Sequence, residues 1–314
     1  MLPLQVQTVY QDLLQRVRSA PGVSIKGFIL KIEKGGRGYW IARIRIGDKV
    51  HEKSIGPDSA ETRKKVEAAI REQTIHTEWD RENARLIAML RSAGCLAPDQ
   101  LTGKLLSALD RIGFFQSGGI LGGTHAFRHY PLELGAVVPS SLYSMTGGVA
   151  IIAPSHIILA GDDGSPTARL SKLGRDLRTV FGLTGDDPQK WVIDGSIELE
   201  ISSPVRRGGE TTHRHAGVGE RVQALRYLEY AFKDPIRAVS QYRSGISVTI
   251  PAPQRYALHK LLIAQLRKGE FLLKKQKDLN QADWLILILA ETRPYELWEA
   301  FNDLWTRGAK WRGL

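Results

Sequence analysis

The stretch GGILGGTHAFRHY, residues 118–130, places four glycines within six positions and then continues into a segment compatible with a helix. Glycine in such numbers costs conformational entropy, so the backbone here must adopt unusual dihedral angles or approach another group closely. A glycine-rich loop that opens a helix is a ready phosphate site, because free N–H groups and the positive end of the helix dipole point at one spot. The alternative is a tight strand-to-helix turn without a ligand, and this stretch alone does not separate the two.

The segments that follow this loop alternate between strand-like and helical patterns. The strand-like pieces are GVAIIA (148–153), HIILA (156–160), KWVIDG (190–195), SIELEIS (196–202) and SVTIPAP (247–253). After residue 253 the pattern is mostly helical. This order predicts an α/β or α+β unit with a mixed sheet in a core of residues 95–252 and a helical region over residues 253–314.

The segment before the loop, residues 1–94, predicts a separate N-terminal part. Apolar residues at helical spacing within the first 20 residues indicate a helix (Val9, Leu13, Leu14 and Val17). Alternation with glycine-rich breaks over residues 23–57 predicts a small antiparallel meander. One long helix or two consecutive polar helices follow, with Asp58 or Ser59 as the N-cap.

The charge of the chain favours a polyanionic partner. Lys and Arg number 44 against 33 Asp and Glu, which gives a net charge of +11 at pH 7, and an excess of this size is typical of proteins that contact RNA or DNA. The meander is rich in cations and carries aromatic rings, which suits backbone contact and base stacking. The predicted nucleic-acid contacts are Lys31, Arg37, Tyr39, Arg43 and Arg45. The alternative is the solvated face of a small sheet.

Several classes of protein fit this sequence poorly. No run approaches the ~18 apolar residues of a membrane span, and the N-terminus lacks a basic start followed by an apolar block, so no secretion signal is predicted. The single cysteine, Cys95, excludes an internal disulfide bond and fits a reducing compartment. The predicted location is the cytoplasm, without a membrane partner.

Four stretches carry a resemblance to a known family: FFQSGGILGGTHAFRHY (114–130), MTGGVAIIA (145–153), VTIPAPQRYALHKLLIAQLR (248–267) and KKQKDLNQADWLI (274–286). The N-terminal GRGYWIARIRIGDKVHEKSIGP (36–57) resembles the leading segment of the same family. The chain therefore resembles bacterial nucleotidyltransferases of the DNA polymerase β-like superfamily, distantly related to the AbiEii abortive-infection toxins. The resemblance implies an α+β protein with a polymerase β-like core between the N-terminal part and the C-terminal helices.

The resemblance implies two-metal chemistry at a set of carboxylates, with Mg²⁺ as the metal that hard oxygen ligands favour. Family members have two aspartates at i and i+2 on a strand, where both point to one face. At these positions the chain has Gly148 and Ala150, whose side chains cannot bind a metal. Glu200 is the candidate third carboxylate, and it would bind Mg²⁺ only with Asp restored at positions 148 and 150. Whether the pair was lost naturally or by design stays open, as does the alternative of a plain turn and strand.

The resemblance also implies a set of nucleotide contacts. Gly122 and Gly123 would face the phosphates, with the Thr124 hydroxyl beside them. His259 and Lys260, on a predicted helix, and Lys277 would present positive charge to the phosphates. The alternatives are a structural histidine on a strong helix and a solvated lysine face whose ion pairs contribute little individually.

Two functions remain compatible with the sequence. By resemblance the chain transfers a nucleoside monophosphate from a nucleoside triphosphate to an RNA end, for example that of a tRNA, or to a protein hydroxyl. A toxin or phage-defence role with an antitoxin partner would follow, and this chain would be inactive through Gly148 and Ala150. The alternative is a non-catalytic nucleic-acid-binding or regulatory protein built on an inactive transferase scaffold.

Overall fold

The computed structural model describes residues 1–46, 49–111, 113–116, 118–139, 142, 148–152, 191–193, 197–204, 212–214, 221–267, 272–308 and 311. Its helices are α1 (Leu4–Arg18), α2 (Ala60–Ser92), α3 (Gln100–Arg111), α4 (Gly123–Phe127), α5 (Tyr130–Glu133), α6 (Leu228–Ala231), α7 (Pro253–Leu266), α8 (Leu272–Thr292) and α9 (Pro294–Thr306). Its strands are β1 (Phe28–Lys34), β2 (Arg37–Ile46), β3 (Lys49–Pro57), β4 (Ile120–Leu121), β5 (Gly148–Ile152), β6 (Trp191–Ile193), β7 (Ile197–Pro204), β8 (Thr212–Arg214), β9 (Arg221–Leu225), β10 (Ile236–Ser240) and β11 (Ile246–Ile250). The predicted α+β class is confirmed.

The N-terminal part is a three-stranded antiparallel sheet followed by one long helix. β1, β2 and β3 pair in chain order, and the β1–β2 turn uses Gly35 and Gly36, both with positive φ. The predicted helix after the sheet is a single helix of 33 residues, α2. Of its two predicted caps, the structure uses Ser59, whose hydroxyl accepts a hydrogen bond from the Thr62 N–H.

α1 joins this part to the rest of the molecule. Its predicted residues Leu13, Leu14 and Val17 are buried, together with Tyr10. They form a hydrophobic cluster with residues of α2, α5 and β10, namely Ile87, Leu90, Leu132 and Val239. Because the hydrophobic effect scales with buried apolar area, this cluster stabilises the junction between the N-terminal part and the core.

The larger sheet is mixed, as predicted. Its described strands follow the order β4-β5-β7-β9-β8, and β6 also pairs with β7. β7 runs parallel to β5 and to β9, whereas the pairs β4–β5, β6–β7 and β8–β9 are antiparallel. The predicted strand HIILA (156–160) lies outside the described residues.

The main hydrophobic core lies between a β-hairpin and the helices of the core and C-terminal region. β10 and β11 form the antiparallel hairpin, and its buried side chains pack with residues of α3, α4, α7 and α8. The core brings α7 and α8 close to the loop that begins α4. No helix among the described residues is long and apolar enough to cross a membrane.

Candidate functional site

Three of the four glycines in the glycine-rich loop have a structural reason, which is the backbone conformation at two of them and lack of space at the third. Gly118 and Gly123 have φ values of 89° and 60°, in the left-handed region that favours glycine. A Cβ on Gly119 would lie 2.3 Å from the Phe114 ring, so a side chain there would collide with the core. The loop therefore requires glycine for its conformation, whether or not it binds a phosphate.

Three neighbouring strands bring the predicted site positions together. β4 leads directly into the turn of Gly122 and Gly123, and its Leu121 pairs with Ile151 of β5. On the other side of β5, Ala150 is the register partner of Glu200 on β7, and Gly148 is the partner of Glu198. The glycine turn, positions 148 and 150, and the half-buried Glu200 thus lie on adjacent strands.

The residues at these positions do not fit a two-metal site. Two-metal catalysis needs several oxygen ligands held together, and Gly148 and Ala150 supply no side-chain ligand atom. Across the described part of the chain, no group of three or more His, Cys, Asp or Glu residues could hold a metal ion. The Mg²⁺ site that the resemblance implies is therefore not supported by the side chains present.

Tyr256 of α7 forms a hydrogen bond with the glycine turn. The Tyr256 hydroxyl lies 2.9 Å from the Gly123 carbonyl oxygen and 3.2 Å from Gln281 Oε1 of α8, so it can donate to either. Tyr256 is buried, and burial raises the pKa of its hydroxyl well above the ordinary value. The hydroxyl consequently stays protonated and acts as a donor. Thr124 is half-buried at the second position of α4.

Lys260, one turn further along α7, lies in a buried ion pair. Its ammonium contacts Asp278 Oδ1, and Arg267 Nε lies 2.6 Å from Asp278 Oδ2. The Lys260 Nζ is also 5.2 Å from the centre of the Tyr256 ring. Burial lowers the pKa of Lys260, and the Asp278 carboxylate opposes that shift. Lys260 is therefore held by Asp278 rather than turned toward solvent as a free cation.

The side chains around Asp278 leave an excess of positive charge. Lys277 is half-buried, and its pKa is lowered to about 8 by burial and by the neighbouring cations Lys260, Lys274 and Arg267. We call three of these residues the cationic cluster: Lys260, Arg267 and Lys277. Asp278 is the one carboxylate among the groups that shift the pKa of Lys277. A bound anion would offset the remaining charge.

His259 adds a neutral polar group beside the cationic cluster. Its side chain is 9% exposed, and burial followed by the charge of Lys260 lowers its pKa to about 3. The imidazole is therefore neutral at pH 7. Its Nε2 is buried and has no hydrogen-bond partner among the described residues, which is costly unless a ligand or water supplies one.

The predicted nucleic-acid contacts are divided between the two faces of the N-terminal sheet. Arg37, Tyr39 and Arg43 lie at odd-numbered positions of β2 and so share one face, whereas Lys31 pairs with Trp40 on the other. The side chain of Arg45 lies outside the described part of the structure. Lys31 Nζ lies 2.6 Å from Asp58 Oδ2. Arg43 Nε lies 2.7 Å from Glu52 Oε1 on its own face.

Sequence reasoning missed the role of Tyr256. The signal was present, because Tyr256 lies four residues before Lys260 and therefore on the same face of the helix. Its partners, Gly123 and Gln281, belong to segments distant in the chain. No local pattern identifies such partners.

Comparison with known proteins adds one match. A family model described as nucleotidyltransferase covers residues 100–306, which is more than half of the chain. This range contains the glycine turn, the larger sheet and helices α3 to α9, and it excludes the N-terminal sheet. No curated protein and no solved structure matches the chain significantly.

Proposed function

We propose, since the chain belongs to the nucleotidyltransferase family matched over residues 100–306, that it binds a nucleoside triphosphate between the glycine turn and the cationic cluster. We further propose that the chain as written does not transfer the nucleotide, because positions 148 and 150 lack carboxylates. Nucleotidyl transfer is the activity of the family, and this chain would retain the binding scaffold of that activity.

The register between β5 and β7 is the observation that carries this proposal. Ala150 is the partner of Glu200, directly beside the strand that leads into the glycine turn. An aspartate pair at positions 148 and 150 would lie next to Glu200, as two-metal transfer requires. The register thus supports a scaffold arranged for this chemistry, from which two of three carboxylates are missing.

The charge balance around Asp278 supports binding of phosphate without a metal. The cationic cluster contains three cations near one described carboxylate, Asp278, and the neutral His259 adds a buried nitrogen without a partner among the described residues. Hydrogen bonds between charged groups are stronger than neutral ones. Lys277 is the cluster member that we expect to contact phosphate directly, because Lys260 and Arg267 both bind Asp278.

Calorimetric titration with each nucleoside triphosphate, with and without EDTA, tests the binding proposal. We expect weak binding that EDTA does not change, and we expect Lys277→Ala to weaken it roughly tenfold, as for loss of one charged hydrogen bond. Lys275→Ala, two positions away on the same helix, is the matched control and should bind normally. Tight binding that EDTA abolishes would mean that metal ligands exist elsewhere and would overturn the proposed site.

The double variant Gly148→Asp with Ala150→Asp tests the lost chemistry. We expect it to transfer labelled nucleotide in the presence of Mg²⁺, with an RNA end as the acceptor that we propose and a protein hydroxyl as the competing outcome. The matched control has Asn at both positions, which keeps the size and removes the charge. If the Asp variant binds nucleotide yet labels nothing in total RNA or in lysate, the non-catalytic scaffold is the better description. A toxin or defence role would then lose its support.

A further inference from the structure

We propose that the exposed face of the N-terminal sheet binds single-stranded nucleic acid. We call this surface the outer face, and its exposed or half-exposed members include Phe28, Lys34, Arg37, Tyr39 and Arg43. It lies before residue 100 and thus outside the family match. The inference therefore stands independently of the proposed nucleotide site.

The opposite face of the sheet is occupied by α2. A Cβ on Gly56 would lie 3.0 Å from the Thr62 hydroxyl of α2. Asp58 accepts a hydrogen bond from Trp40 Nε1 and also binds Arg63 of α2. Ala42, on this covered face, is 1% exposed. α2 therefore blocks part of this face, whereas on the outer face Ile41 is the buried member, at 5% exposed, and Phe28, Lys34, Arg37 and Arg43 around it are exposed.

Register shows which residues share the outer face. In the pairing of β1 with β2, Phe28 lies opposite Arg43, and Lys34 lies opposite Arg37. Ile32 lies opposite Tyr39 between these two pairs. Paired residues of neighbouring strands point to the same side of a sheet, so two aromatic rings and three cations belong to one surface.

Two cations at the hairpin end of the outer face have no carboxylate partner among the described residues. Lys34 and Arg37 are directly opposite each other, and like charges in this position destabilise a sheet. Neither forms an ion pair among the described residues, whereas Arg43 is paired with Glu52. A phosphate between Lys34 and Arg37 would turn a repulsive pair into an attractive one. The net charge of +11 would bring a polyanion to this surface.

The aromatic rings favour a single strand over other anions. Phe28 is 72% exposed, although burying its ring would be favourable. Tyr39 is half-buried on the same face. Unpaired bases stack on such rings, whereas the bases of a duplex are already stacked on each other. An acidic peptide would satisfy the cations but would leave the exposed ring unexplained.

Fluorescence anisotropy with a labelled uridine oligonucleotide of about 12 residues, a length within the site sizes of sheet-based single-strand binders, tests the inference in the full-length protein. We expect log K to fall linearly with log salt concentration. Arg37→Glu should weaken binding and reduce the magnitude of the slope by roughly 0.7 for each lost phosphate contact. Phe28→Ala should weaken binding by roughly tenfold with little change in slope, because stacking is the lost interaction.

Three controls make the result decisive. Lys53→Glu removes an exposed cation from β3 at a position paired with Ala42 on the covered face, and we expect a smaller effect than for Arg37→Glu. Nucleoside triphosphate binding should be unchanged in Phe28→Ala, which separates this inference from the proposed function. Equal loss in Lys53→Glu, no loss in Phe28→Ala, or equal affinity for a duplex or polyglutamate would overturn the inference.

Discussion

Glu133 is a half-buried residue at the point where α1, α5 and β10 meet. The Tyr10 hydroxyl donates a hydrogen bond to its carboxylate and accepts one from the Val239 N–H. Burial raises the pKa of Glu133 to about 7, although Tyr10 and Arg293 oppose the shift. The group is therefore protonated over part of the pH range in which carboxyl groups are normally charged.

We expect Glu133→Gln to remove a specific pH dependence of stability. The ordinary pKa is 4.5 and the folded value about 7, so the unfolded chain loses this proton first as pH rises. The wild-type free energy of unfolding, measured relative to the variant, should fall by about 3 kcal/mol between pH 4.5 and 7 and stay constant above that range. Urea denaturation at pH 5, 6, 7 and 8 measures it. A difference independent of pH would contradict the expectation.

Two histidines have the opposite effect on the pH dependence of stability, and the comparison of the wild type with Glu133→Gln removes their contribution. Burial lowers the pKa of His129 to about 4 and that of His259 to about 3. Each makes the protein less stable as pH falls below 6.5, because the unfolded chain then binds protons that the folded chain does not. These contributions are common to both proteins and cancel in the difference.

Single residues also show what local sequence can and cannot predict. The glycine-rich loop predicts unusual dihedral angles, and the positive φ of Gly118 and Gly123 confirms this. The reason for Gly103 is different, since a Cβ there would lie 2.1 Å from the Tyr242 ring. Tyr242 is distant in the chain, so only the fold reveals that contact. Lys260 was likewise identified as a cation, but its partner Asp278 lies on another helix.

An ion-pair network joins helices α7 and α8, and it contains two cations but one carboxylate. Asp278 binds both Lys260 and Arg267. Asp278→Asn leaves two cations without a countercharge in a buried site, so we expect a loss of about 3–5 kcal/mol in the free energy of unfolding. Lys260→Met should cost less than half as much, because Arg267 still neutralises Asp278. Urea denaturation of both variants measures the asymmetry.

Asp283→Asn provides the matched control for this network, since Asp283 is exposed on the same helix. It should change the free energy of unfolding by no more than about 0.5 kcal/mol. If Asp278→Asn and Lys260→Met lowered the free energy of unfolding equally, Arg267 would not neutralise Asp278 by itself. The predicted difference between the two variants would then be wrong.

Elements with their own apolar pattern could be predicted, whereas strands that form mainly through pairing with a neighbour could not. α1 and the three strands of the N-terminal sheet lie where the apolar patterns predict them, and the short strands β5 and β6 lie within the predicted pieces GVAIIA and KWVIDG. β8 has three residues and β9 five, and their pairing connects segments without a clear alternation of their own. The hairpin strand β10 was missed as well, because its residues become a strand by pairing with β11.

At the scale of the whole molecule, the N-terminal part and the matched region share a hydrophobic cluster. Tyr10, Leu13, Ile87 and Leu90 pack against Leu132 and Val239. We expect a chain of residues 95–314 to aggregate or to lack a cooperative unfolding transition, because removal of α1 and α2 exposes this apolar surface. Circular dichroism on heating and size-exclusion chromatography measure it.

Deletion of the β1–β3 sheet alone is the informative comparison. That deletion leaves α1 and the whole of α2, and with them the shared hydrophobic cluster, so we expect the remaining chain to keep its cooperative transition. A well-folded 95–314 chain would show that the shared cluster contributes little. The predicted division into residues 1–94, 95–252 and 253–314 stays a prediction, and these two truncations test its first boundary.

The sequence predicts the part of the candidate site that depends on alternation along a strand, because alternate residues lie on the same face. Glu198 and Glu200 share a face by period alone, and the register then makes Glu200 the neighbour of position 150. The net charge near the α7–α8 pair could not be predicted from the sequence, because it depends on which cations Asp278 neutralises. That balance follows from packing between helices.

Because α2 is long and contacts a different partner with each half, an insertion or deletion within it rotates one half about the helix axis relative to the other. Its buried Val66 and Ala69 belong to the half beside the sheet, and its buried Asn83 and Ile87 to the half beside the core. At about 100° and 1.5 Å per residue, two extra residues between these halves would turn one against the other by roughly 200°, whereas eleven would turn them by only about 20° while separating them by ~17 Å. Evolutionary drift in the length of this helix should therefore proceed in steps near whole numbers of turns.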